Sequence, residues 1–188
     1  MDPLRVRVAI HQPNFIPWRP FFAKMAAVDT FVILTQCQFN REHYQHRFKY
    51  KNRWHTMSVR NVRHPDLILN RVYSSPYGDW DKIKRQLPQF KPWFDQFDDL
   101  IGPELWRTNM GIIIRMAQLL HIHTEIILDP TPSCTGTDRL VEICYALNAK
   151  TYLAGRSGAK YMDPEKFEQV GIKVEYQTVT DTRHVFEP

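Results

Sequence analysis

Polar and apolar residues alternate over Arg5-Val6-Arg7-Val8-Ala9 and the run closes on Ile10, which predicts a short strand whose C-terminal end presents His11 and Gln12. Pro13, Pro17 and Pro20 then keep the chain out of regular ladders. Phe21 to Ala27 fits a short helix and Thr30-Phe31-Val32-Ile33-Leu34 a buried strand. Gln45 to Lys51 and Trp54 to Arg60 alternate aromatic or apolar with basic and polar positions, which predicts a hairpin turning at Asn52-Arg53. Helices are expected over Asp79 to Leu87, Lys91 to Asp98 and Gly102 to His121, with a return to strand at Glu125 to Leu128. Beyond these, Thr135-Gly136-Thr137-Asp138 starts a helix that Asn148 ends. Thr151 to Ala154 reads as a strand, Gly155-Arg156-Ser157-Gly158 as a loop, Asp163 to Gln169 as a helix and Ile172 to Tyr176 as a last strand.

Alternation of strand and helix in the C-terminal half implies crossover connections, hence an α/β fold. The expectation is one domain over residues 1–188: a partly parallel sheet flanked by helices, plus a basic N-terminal hairpin. Ligands of open parallel sheets bind beyond the C-terminal strand ends. His11-Gln12 and Gly155-Arg156-Ser157 are therefore expected on one shared edge, provided their strands run parallel.

A chain of 188 residues with 43% hydrophobic and 24% charged residues buries a sizeable core without help from metals or disulfides. The three cysteines, Cys37, Cys134 and Cys144, form no close pair and are expected as buried thiols. No apolar run suffices for a membrane span and no secretory segment opens the chain, so a cytoplasmic protein without membrane insertion is expected. Charge changes the picture more. Residues 1–60 hold ten Lys/Arg against three Asp/Glu, whereas residues 121–188 hold seven against ten. In residues 41–64 Arg41, Arg47, Lys49, Lys51, Arg53, Arg60 and Arg63 face a single acid, Glu42, with His43, His46, His55 and His64 interspersed. Such a segment attracts phosphate, although a solvated strand face has the same composition.

Glycine-rich dinucleotide and phosphate loops, the zinc-protease His-Glu pattern and the serine nucleophile elbow are absent from the sequence. His121-Ile122-His123 has no ligand at recognised zinc spacing, so no metal and no cofactor are expected. His11 is the candidate proton acceptor and donor, with Gln12 beside it as a second catalytic candidate. Asn14 offers a donor and an acceptor, and Trp18 an aromatic wall. Gln36, Gln38 and Asn40 form a polar row if the preceding strand stays extended, and Arg47 and Lys49 alternate as a phosphate clamp. In the second half Gly155, Arg156, Ser157 and Tyr161 complete the expected substrate-binding set. Asp29, Asp138, Glu142 and Asp163 are the acidic candidates, with helix capping explaining Asp138 and Asp163 equally well.

Taken together, His11-Gln12-Pro13 with Pro17-Trp18, Phe21-Phe22, Lys24, Asp29, Phe31-Val32, Gln38-Phe39 and Gln45 through Arg47 resemble the WbqC-like family. Thr137 through Cys144, Tyr152 through Gly155 and Gly158 through Asp163 extend the likeness, which spans residues 6–176. Thr35 departs from it where the family has an acidic residue, and His46 where it has Asn. The resemblance implies a link to surface-polysaccharide gene sets and to transferases that add an amino acid or other amine to an activated acceptor. With the basic segment, it leads to a metal-independent group transferase whose acceptor is a nucleotide sugar or a phosphorylated base in DNA. Two other classes stay open: a noncatalytic nucleic-acid-binding protein and a structural partner in a polysaccharide-biosynthesis complex. Nothing in the sequence sets the oligomeric state.

Overall fold

Val8, Ala9 and Ile10 are buried on both faces of a sheet, which is why the first apolar run sits at the sheet's centre. The computed structural model describes residues 6–61, 66–179, 181 and 183–187; Arg5, Arg63 and His64 of the patterns above lie outside them. Its strands and helices, in chain order, are β1 Arg7–His11, α1 Arg19–Ala26, β2 Thr30–Ile33, β3 Arg47–Tyr50, β4 Arg53–Thr56, α2 Pro76–Gln86, α3 Lys91–Phe94, α4 Leu105–Leu119, β5 Glu125–Leu128, α5 Gly136–Ala146, β6 Thr151–Ala154, α6 Glu165–Glu168 and β7 Lys173–Tyr176. The protein is an α/β protein, and its five-stranded sheet, in the order β5-β2-β1-β6-β7, is parallel at every described pairing.

Contacts divide the chain into two compact units, each assembled from separate segments. The first comprises residues 1–11, 19–36 and 122–182 and holds the sheet with α1, α5 and α6. Its core joins Val8, Ile10 and Val32 to Ile143, Cys144 and Phe167 from the flanking helices. The second comprises residues 12–18, 37–121 and 183–188 and holds the β3–β4 hairpin with α2, α3 and α4. The proline-rich segment after His11 is here a plug of that second core. Phe15 and Ile16 are fully buried, and the Phe15 ring meets Phe48, Tyr73 and Trp80 at centroid distances of 6.0–6.3 Å.

Three local expectations change. The hairpin turns at Lys51-Asn52, whose φ values of 44° and 63° suit the twist of a two-residue turn, and Arg53 opens β4 instead. Gly155 to Gly158 is not an open loop, because Arg156–Lys160 winds into a short 3-10 turn. Extension also fails after β2: the chain bends at Gln36 and Cys37, so Gln36, Gln38 and Asn40 form no aligned row. The bend has a cause in Asp129, just beyond β5. Its buried carboxylate accepts the Thr35 amide (2.7 Å), the Thr35 hydroxyl (2.9 Å) and the Gln36 amide (3.2 Å), and pairs with the Arg139 guanidinium from α5.

None of the three cysteines is in a disulfide, but only Cys144 is fully buried, and burial pushes its thiol up to about 12. No helix among the described residues is long and apolar enough to cross a membrane.

Candidate functional site

In the first unit, β1 and β6 are parallel neighbours, so their C-terminal ends reach one sheet edge. This is also where the sheet changes direction: β2 and β5 lie to one side of β1, and β6 and β7 to the other. Such a reversal leaves a crevice at the strand ends. The β1–β6 register of Arg7↔Thr151 and Val8↔Tyr152, carried forward, sets His11 level with Gly155. The half-buried His11 ring packs edge-on to Phe21 at 4.8 Å. Arg156 and Ser157 are exposed, as is Tyr161, which is 73% accessible.

The two glycines of this turn differ. A Cβ at Gly155 would meet nothing within 4 Å, whereas one at Gly158 would lie 3.3 Å from the Ala154 Cβ and close to Met162. Gly158 is therefore explained by packing, and open space beside the backbone belongs to Gly155.

Lys24 is a group at this edge that the sequence reading did not place in the site. It lies on α1, is 3% exposed, and its Nζ donates to the Ile10 carbonyl at 3.0 Å. Burial holds its ammonium well below the usual lysine range, at about 7. Asp129 is another. It supplies, in space, a carboxylate against the hydroxyl of Thr35, the position at which the family resemblance lacks its acid. The signal in the sequence was its place one residue past a parallel strand. Four donors occupy that carboxylate, so it orders the edge. The acids named from the sequence have structural partners: Asp29 accepts the Arg7 amide, Asp138 pairs with Lys166, Asp163 accepts the Glu165 amide and Glu142 accepts from Ser133 and Cys134.

In the second unit, Gln12 is held by a buried amide network. Gln45 Nε2 donates to its Oε1 at 2.8 Å, and its own Nε2 reaches Cys37 Sγ at 3.3 Å. Asn109, fully buried on α4, donates to the carbonyls of Pro13 (2.7 Å) and Gln45 (2.6 Å) and accepts from the Tyr73 hydroxyl (2.8 Å). Burial raises the Tyr73 phenol well above its ordinary value, which keeps it a donor. Asn14 is buried in the same plug and Gln38 is exposed. Neither Gln45 nor Asn109 stood out as a network member from its neighbours in the chain.

The hairpin displays the basic surface. Alternation sends Phe48 into the core, stacked on His55 at 5.1 Å, and turns Arg47 and Lys49 to the other face with Trp54. There Trp18, Tyr44 and Trp54 follow one another at 4.4 and 5.3 Å, and the Arg47 guanidinium lies 4.0 Å over the Trp54 ring. Arg47 also donates to the carbonyls of Glu42 (2.6 Å) and His43 (3.3 Å), so it is partly spent on its own loop. Lys49 is exposed, its Nζ 5.9 Å from Trp54. Two histidines of the segment are structural. His46 is buried between the carbonyls of Met57 and Arg41, and His55 meets Gln86, its imidazole lowered by burial.

Among the described residues no group of three His, Cys, Asp or Glu is placed to hold a metal ion. An open groove beside α6 and β7, lined by Pro164, Glu168 and Lys173 among others, contains none of the candidate residues.

The WbqC-like protein family matches residues 12–186 of the chain. A protein of Mycobacterium tuberculosis described as the uncharacterized protein Rv1507c is 27% identical over 207 residues, covering 97% of this chain and 89% of its own length. No solved structure matches.

Proposed function

The chain belongs to the WbqC-like family, and from that premise we propose that it is a group transferase joining an amino acid or other amine to a phosphorylated acceptor. The observation that carries this reading is His11 at the end of the central strand β1, whose parallel neighbour β6 runs into Gly155 to Ser157 where the sheet reverses direction. His11 takes the proton of the attacking amine. The amine nitrogen bonds to the carbon that bears the phosphate, and the carbon–oxygen bond breaks with its electron pair leaving on the phosphate. Arg156 and Ser157 supply charge and a hydroxyl at the same edge, while Gln12 and Asn14 belong to the segment that follows His11. On the second unit, Lys49, Arg47 and Trp18 form a surface of their own for phosphate and aromatic groups.

The test is turnover with glycine and other amines against a nucleotide sugar and against DNA carrying a phosphorylated base, read by product mass. The wild type is expected to release phosphate or nucleoside diphosphate in step with amine incorporation. A folded His11→Ala protein should be slower by about 100-fold or more, the usual worth of a positioned proton acceptor. An unchanged rate in that variant removes His11 from the reaction.

The aromatic and basic hairpin face favours a second reading, nucleic-acid binding without turnover. Salt titration on single-stranded DNA separates the contributions. Lys49→Ala is expected to lower the log–log salt slope by about 1, as for one lost phosphate contact. Arg47→Ala should lower it less, because that guanidinium already serves the Glu42 and His43 carbonyls. Equal slopes in all three proteins would take the hairpin out of phosphate binding.

A further inference from the structure

The β1–β6 ladder stops early. Four register pairs join β1 to β2 and four join β6 to β7, but only Arg7↔Thr151 and Val8↔Tyr152 join β1 to β6. Successive peptide groups of a parallel strand point to opposite neighbours. The His11 carbonyl accepts from Leu34 on the β2 side, so the Ile10 carbonyl faces β6. Had the register continued, the Gly155 amide would reach that carbonyl. Lys24 Nζ takes it instead, at 3.0 Å.

Lys24 is also an expensive residue to keep there. It is 3% exposed, makes no ion pair among the described residues, and has the Phe31 ring 5.5 Å away. The Ile10 oxygen is its hydrogen-bond acceptor, and burial alone lowers its pKa, with no charged neighbour contributing. A methionine would fill the same space without desolvating a charge. What the lysine adds is a donor at the point where the β1–β6 hydrogen-bond ladder ends.

We propose that Lys24 is a positioning residue that holds β1 and β6 apart at the sheet edge, by taking the Ile10 carbonyl that the Gly155 amide would otherwise take, and so keeps open the gap through which a small polar ligand reaches His11. The last clause rests on the group-transfer reading; the separation of the strands does not. Room beside Gly155 for a ligand atom agrees with it, since a Cβ there would touch nothing within 4 Å.

Hydrogen exchange on the ligand-free protein tests this directly, with Lys24→Met, which removes the donor, and Lys24→Arg, which keeps one. In Lys24→Met the Gly155 amide is expected to find Ile10 and to exchange at least tenfold more slowly than in the wild type, while amides far from the edge are unchanged or faster. Lys24→Arg should leave Gly155 exchanging as in the wild type. A lysine that served only stability would do the reverse, speeding exchange throughout when replaced. Labelling the lysine Cε carbons adds a second reading: the Lys24 signal should titrate near 7, and the Ile10 carbonyl carbon should move with it, including in a His11→Gln background. Unchanged or faster Gly155 exchange in a folded Lys24→Met protein overturns the proposal, as does equal slowing in Lys24→Arg. If Lys24→Met does not fold, an Ile10 carbonyl that fails to follow the Lys24 titration overturns it equally. Because no substrate enters these measurements, they stand or fall separately from the turnover assay.

Discussion

Replacing Asp129 by alanine is expected to cost about 3–5 kcal/mol of folding stability, the range for removing one partner of a buried ion pair. The carboxylate is fully buried and Arg139 nearly so. Without it the Arg139 guanidinium keeps, among the described residues, a long contact to the Pro130 carbonyl at 3.4 Å. The buried Thr35 amide and hydroxyl and the Gln36 amide also lose their acceptor. Arg139→Met should cost less, because Asp129 would retain those three donors in the first unit and only the charge pairing would go. Urea denaturation at neutral pH measures both. A loss below about 1 kcal/mol in Asp129→Ala would mean that water replaces the carboxylate, and the edge beyond β2 and β5 would then not be ordered by it.

Asn109→Leu is the second large effect, expected at about 3 kcal/mol or more. A leucine of similar volume removes no packing, but it strands the Pro13 and Gln45 carbonyls and the Tyr73 hydroxyl in a site where Asn109 is fully buried. Each stranded polar group costs about 1–3 kcal/mol. Tyr73→Phe is the control. It removes a single hydrogen bond and should cost about 1 kcal/mol. The same denaturation curves give the order. Equal costs for the two variants would show that the carbonyls of Pro13 and Gln45 do not depend on Asn109.

The contrast between these two residues and the strands shows what the sequence makes legible. β5 and β6 coincide with the expected strands Glu125 to Leu128 and Thr151 to Ala154, because a short strand rich in apolar side chains needs little more than its own sequence. A partly parallel sheet followed from the alternation of elements; that β1 and β6 run parallel in it was a condition, which the structure meets. Long-range polar bonds are another matter. Asp129 bends the chain 94 residues before it, and so removed the aligned row expected of Gln36, Gln38 and Asn40. Nothing in the neighbours of Lys24 along the chain marks it as buried; its burial is decided by where α1 lies on the sheet. The hairpin turn was misplaced by one residue because Lys51 adopts a left-handed conformation that its type rarely takes. Within the proposed site, His11 and the Gly155 to Ser157 segment were read from their positions at strand ends. Gln12 and Asn14 were read from their polarity, which does not tell a ligand contact from a buried network.

The most direct measurement of the central claim is a map of amide and side-chain shifts as glycine and a phosphorylated acceptor are titrated, singly and together. The amine and the phosphorylated acceptor are both expected to move His11 and residues Gly155 to Ser157. Shifts confined to the groove beside α6 and β7, or none at His11 with both ligands present, would contradict it.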